Sequence, residues 1–246
     1  MTATPTVTPE RLYLMELMRA NAPIPGRGMF EWIMPCYLVR LSDGQHVLID
    51  SGLPAGGSIP FLPPPLHDRD VIAQLADLGL RPGDIGTVIA THLDADHAGH
   101  HDAFPNAEFV IQREQLEAAR AGGERYDATR AHWDAPGLRY RPVDGDTELL
   151  PGLTLIETSG HVPGHQSVLV RLPHTGPVLL AIDAINAADQ FVPDPQPGPF
   201  DADAERVKTS VRKLLALADH EHAALVVFGH DGAQWQTLKK SPDYYD

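Results

Sequence analysis

His92-Leu93-Asp94-Ala95-Asp96-His97 places four metal-binding side chains within six residues, directly after the short apolar run Thr87-Val88-Ile89-Ala90. The i, i+2, i+4 spacing sends His92, Asp94 and Asp96 to one side of an extended or turning chain, while His97 approaches from a neighbouring direction. Imidazole suits zinc, iron and nickel, and carboxylate adds hardness and can bridge. Taken alone, the hexapeptide also admits the blander reading of a polar loop before a helix, with Asp as a cap and His exposed. Other apolar runs tip the balance. His165 follows Gly160-His161-Val162-Pro163-Gly164 and precedes a strand, Asp183 ends Leu179-Leu180-Ala181-Ile182, and His230 ends Val226-Val227-Phe228-Gly229. Ionisable groups at strand tips are where α/β architectures place functional residues.

Outward from this segment, strand and helix signals alternate. Residues 1–10 read as a loose tail, and Arg11 to Arg19 (RLYLMELMR) as an early strand or a short helix. Residues 37–41 and 46–50, separated by Ser42-Asp43-Gly44-Gln45, read as a β-hairpin. The stretch 53–67 is too rich in Gly and Pro for regular structure, and 70–79 has helical apolar spacing. Strands are expected at 107–111, 153–157, 167–171, 178–182 and 224–228, with helices over 114–121 and 203–218. Hairpins mixed with strand–helix alternation make a mixed α/β protein with helices outside.

The 246 residues suffice for a sizeable core in a single domain, 1–246. No run approaches the roughly 20 apolar residues of a membrane span. The charge of −14, from 19 Lys and Arg against 33 Asp and Glu, argues against nucleic acid, whose phosphates demand cationic side chains. Cys36 is the one cysteine, so no intrachain disulfide forms, and its apolar strand suits a buried inert thiol. The first residues carry no basic stretch ahead of an apolar run, so a signal peptide is not expected and a cytoplasmic location is. No Gly-x-Ser-x-Gly nucleophile elbow occurs.

With these residues in view, the sequence resembles the metallo-β-lactamase superfamily, and within it the N-acyl homoserine lactonase group most closely. The family pattern His-x-His-x-Asp-His, then a distant His, a bridging Asp and a last His, is matched by His92, Asp96, His97, His165, Asp183 and His230. Leu48-Ile49-Asp50-Ser51-Gly52, Ala98-Gly99, Phe104-Pro105-Asn106-Ala107, the Gly160 to Ser167 stretch and Gly229-His230-Asp231 extend the likeness over nearly the whole chain. The resemblance implies an αβ/βα four-layer sandwich of two mixed sheets with helices outside. It also implies two divalent metal ions, zinc first, at a dinuclear site. His92, Asp94 and His165 would form one site and Asp96, His97 and His230 the other, with Asp183 bridging.

Two departures bear on the chemistry. Asp94 stands where the family has a second histidine, and the added carboxylate favours Fe, Mn or Co relative to an all-imidazole site. Asn186 stands where such lactonases often carry a tyrosine; it can donate to an oxyanion or be merely structural. Asp50 reads as a residue orienting a ligand or as part of a plain turn, His100 and His101 as exposed or supporting, and His161 as a position that usually is not a ligand.

The expected activity is hydrolysis of a lactone or related ester by a metal-activated hydroxide, with Asp96 or Asp183 taking the proton, and quorum quenching as its role. Phe30, Trp32, Met34, Ile59, Phe61 and Leu62 offer an apolar rim for an acyl chain. Rival readings on the same residues are an iron-dependent redox enzyme resembling persulfide dioxygenases and another esterase or thioesterase. The expected partner is a small-molecule lactone or ester, without nucleic acid or membrane, in a homodimer or a single chain.

Overall fold

Two long antiparallel strands, β1 (Pro9–Ile24) and β2 (Gly28–Leu41), form the spine of the first sheet, paired from Pro9↔Leu41 to Ile24↔Gly28 with register shifts at Pro9/Arg11 and Glu16/Met18. The computed structural model describes residues 6–24, 28–54, 56–57, 62–65 and 67–246. Leu12 and Leu14 face one side of β1, and Tyr13, Met15 and Leu17 the other. Because both sides are buried, the apolar pattern of 11–19 is nearly continuous, which left strand and helix unresolved in the sequence. Pairing with β2 decides for strand. Pro9 and Glu10 already belong to β1, so the expected 1–10 tail is too long; residues 1–5 lie outside the described residues.

β3 (His46–Ile49) closes the expected hairpin on β2, and β4 (His67–Asp68) pairs with the far side of β1. Beyond β3, β5 (Thr87–Ile89), β6 (Glu108–Gln112) and β7 (Arg139–Val143) add in parallel, giving the order β4-β1-β2-β3-β5-β6-β7. The second sheet, β12-β11-β10-β9-β8, comprises β8 (Thr147–Leu150), β9 (Leu153–Glu157), β10 (Gln166–Leu172), β11 (Gly176–Ile182) and β12 (Leu225–Phe228). Only β11 and β12 run parallel in that sheet.

Leu12, Leu14, Val39, Ile49 and Ile89 of the first sheet meet Leu155, Val168, Val170, Leu180 and Val227 of the second in one buried cluster. Outside the first sheet packs α1 (Val71–Asp77) through Val71 and Leu75, its start capped by Asp70, whose carboxylate accepts from Ala73 N at 2.8 Å. Further along lie α2 (Arg113–Ala121), α3 (Glu124–Asp127) and α4 (Arg130–Trp133). The outer face of the second sheet is covered by α5 (Ala204–His220) through Val207, Val211 and Leu214. The four-residue α6 (Gly232–Trp235) follows β12. This is the helix–sheet–sheet–helix layering the resemblance implied. The short elements α3, α4, β7 and β8 escaped the sequence reading because four or five residues show no period.

The parallel pairs β3/β5 and β11/β12 matter for function. Their C-terminal ends deliver Asp50, His92, Asp183 and His230 to a common edge. Cys36 is buried, as expected. No helix among the described residues is long and apolar enough to cross a membrane.

Candidate metal centre

Ligand-type atoms converge in two groups, His92–His161–Asp183 and Asp96–His97–His230, each with its donor atoms within 4.8 Å of one another. Asp183 lies between them. Its Oδ2 is 3.0 Å from His230 Nε2, 3.4 Å from His161 Nε2 and 3.9 Å from His92 Nε2, and its Oδ1 is 3.5 Å from His97 Nε2. Asp96 Oδ2 lies 3.7 Å from His97 Nε2 and 3.9 Å from His230 Nε2. A tetrahedral ion with ligands at about 2.0–2.1 Å needs its donors roughly 3.4 Å apart, so this spacing fits a small divalent cation. His92 Nε2, His97 Nε2 and Asp183 Oδ1 are buried without a hydrogen-bond partner, which is costly unless a cation takes their lone pairs.

The far nitrogen of each imidazole is tied down. His97 Nδ1 donates to Asp50 Oδ2 at 2.8 Å, His230 Nδ1 to the Ile33 carbonyl at 2.7 Å, and His161 Nδ1 to Asp201 Oδ1 at 3.0 Å. His92 Nδ1 meets Thr91 Oγ1 at 3.0 Å; that hydroxyl spends its proton on Asp50 Oδ2 at 2.7 Å, so it accepts from His92. With Nδ1 protonated in all four, any of these rings that is neutral carries its lone pair on Nε2, the nitrogen that faces the centre. Asp50 thus holds the ring of His97, a candidate ligand. Asp201 and the Ile33 carbonyl carried no sequence signal, since they reach their histidines only through the tertiary fold.

The structure corrects the sequence expectation at His165. Its Nε2 accepts from the Asp183 backbone N–H at 3.2 Å and its Nδ1 pairs with Thr158 Oγ1 at 2.9 Å. Both ring nitrogens have partners away from the centre, and His165 belongs to neither group of converging donor atoms. His161, set aside in the sequence reading, takes the central place. Between them Gly164, at φ +69°, makes a turn in which a Cβ would strike the backbone of Gln115. His100 and His101 are buried, not exposed: His100 packs its Nδ1 3.2 Å from the Ser51 carbonyl, and His101 reaches Tyr140.

Asp94 sits at the rim of the first group, its Oδ2 3.2 Å from His161 Nε2 and 3.6 Å from His92 Nε2. Arg125 of α3 grips it, with Nε donating to Oδ1 at 2.7 Å and Nη2 to Oδ2 at 2.5 Å. Burial would raise the Asp94 carboxyl, but His161, His92 and Arg125 outweigh it and hold it well below the usual carboxylate range. Burial likewise opposes the charged form of His97, yet Asp183, Asp96 and Asp50 lift it to about 10. His161 rises to about 9 against burial, chiefly through Asp201 and Asp94. In contrast, burial pushes His165 well down. So many carboxylates around imidazole lone pairs create a potential that a dication satisfies.

A cavity of about 220 Å³ opens over the centre, walled by Trp32, Met34, Arg125, Asn186 and Phe200 beside the ligand-type residues. Asn186 Oδ1 is buried there without a partner. Phe30 packs edge-on against Trp32 at 5.1 Å, and Leu53 and Leu62 join the same apolar cluster. Ile59 and Phe61 lie outside the described residues.

Residues 32–230 match the family model of the metallo-beta-lactamase superfamily. The N-acyl homoserine lactonase AttM of Azorhizobium caulinodans is 36% identical over 239 residues, 88% of this chain and 89% of that protein. An N-acyl homoserine lactonase of Bacillus cereus is 34% identical over 223 residues, 85% of each chain. A solved N-acyl homoserine lactone hydrolase, with the product N-hexanoyl-L-homoserine at its catalytic metal centre, superposes with a TM-score of 0.84. It is 28% identical and covers 97% of this chain and 100% of that one.

Proposed function

The chain belongs to the metallo-beta-lactamase superfamily and is a metal-dependent hydrolase, and on that premise we propose that it opens the ring of N-acyl homoserine lactones, a quorum-quenching activity. His92, His161 and Asp183 would hold one divalent cation and Asp96, His97 and His230 the other, zinc in both, with Asp183 lying between the two groups. Bound there, two cations would lower the pKa of a shared water so that hydroxide is available near neutral pH.

The chain's own groups do the remaining work. Asp183 or Asp96, the carboxylates at the centre, would accept the proton of the attacking water. That water's oxygen bonds to the lactone carbonyl carbon, the ring C–O bond breaks, and the leaving alkoxide takes up the proton. Asn186 presents its side-chain amide to the same cavity, where turning the amide offers an N–H to the developing oxyanion. About 220 Å³ is small for a ligand pocket, which suits a lactone head, with the acyl chain running along Trp32, Met34 and Phe200.

One observation carries this reading: four imidazoles, each with Nδ1 tethered, aim Nε2 at carboxylates spaced for a small cation pair. Support for the substrate class comes from the lactonases that match along most of the chain. The test is metal analysis of the purified protein together with hydrolysis of a lactone panel, followed by acid release. Ring opening that tracks metal content is expected. Protein with both groups filled that opens no lactone, yet consumes oxygen in the presence of a persulfide, would overturn the reading.

A further inference from the structure

Asp94 and Arg125 form a unit that nothing in the hexapeptide announces. Imidazole brings no charge to a metal site, whereas Asp94 brings a negative one to a centre that already holds Asp96 and Asp183. The Arg125 fork returns a positive charge at the same point. Its Nη1 donates to the Phe200 carbonyl at 2.7 Å and fixes it there; Nη2 also lies 2.8 Å from His161 Nε2, a contact that a cation held by that nitrogen would displace. Carboxylate oxygens accept more than one bond, so Oδ2 can face the first group while bonded to the guanidinium.

Resting on the metal-centre reading above, we propose that Arg125 is a positioning and charge-balancing residue. The Asp94–Arg125 ion pair is a net-neutral substitute for a neutral imidazole in the first group. Arg125 both orients the carboxylate and cancels the charge that would otherwise make this group harder than its relatives' pattern. The pair therefore works only as a pair. Histidine at 94 would leave the guanidinium uncompensated beside a dication, where like charges in a partly buried site repel strongly.

The experiment is a double-mutant cycle over the wild type, Asp94→His, Arg125→Gln and the double variant. It reads zinc affinity by competition with a chromophoric chelator and thermal unfolding of the metal-stripped protein. Asp94→His alone should lose affinity in one of two sites by about tenfold or more, and should melt lower even without metal. Adding Arg125→Gln should restore both to near the wild-type values. The proposal is overturned if Asp94→His binds zinc as tightly as the wild type, or if the double variant is no better than Asp94→His. Should Asp94→His not fold, Asp94→Asn with and without Arg125→Gln makes the same comparison. A wild type that takes up no zinc would instead defeat the metal-centre reading itself.

Discussion

The backbone N–H of Asp183 donates to Nε2 of His165, 18 residues earlier in the chain, at 3.2 Å. The bond joins the end of β11 to the start of β10 and sets the backbone from which the Asp183 carboxylate projects. His165 thus supports the centre from behind, while His161 faces it.

This division of labour separates two alanine variants. His161→Ala should drop bound zinc from about two ions per chain to about one. His165→Ala should keep both ions but unfold more easily, by roughly 1–3 kcal/mol, because it orphans the buried Asp183 N–H, while Thr158 Oγ1 keeps Ser167 Oγ at 3.0 Å. Metal analysis with thermal melts decides; loss of an ion from the His165 variant alone would reverse the assignment.

Asp183→Ala removes the carboxylate that lies between the two groups. At least one ion should go, with an activity loss exceeding the roughly 10- to 100-fold expected of an outer partner. Full lactone turnover in this variant would remove the bridging role.

Asp50 touches no central donor, yet it holds His97 Nδ1 at 2.8 Å and accepts from Thr91 N and Oγ1. Asp50→Asn should weaken metal binding about 10- to 100-fold while the protein stays folded. Equal affinity in a chelator titration would contradict the tethering argument.

Acid sensitivity should trace partly to His101. Burial lowers it to about 4 from an ordinary value of 6.5; its Nε2 is enclosed without a partner and its ring lies 4.6 Å from that of Phe109. Between those values the unfolded chain binds a proton that the folded chain refuses. Stability therefore falls as pH drops from about 6.5 to 4, by roughly 3 kcal/mol at the lower end. His101→Phe should flatten that part of a stability–pH curve measured by urea unfolding; an unchanged slope would exclude His101 as the source.

Much of this protein was open to reading along the chain. Runs such as Val178–Ile182 and Leu153–Glu157 announce strands because both sheets bury continuous apolar surface, and His92 to His97 declares its chemistry because ligand spacing is local. Reading stopped where local signals stop. Arg11 to Arg19 became a strand only through pairing with β2, and α3, too short to show a period, brought Arg125 to Asp94 from 31 residues away.

Sequence alone determined the layered fold, the metal-binding character of the strand tips and the family. Tertiary structure decided which of His161 and His165 faces the centre, and that Asp94 carries a counter-charge. The physical reason is that residue type sets what a side chain can bind. Which lone pair stays free depends on partners that only the folded backbone brings within about 3 Å.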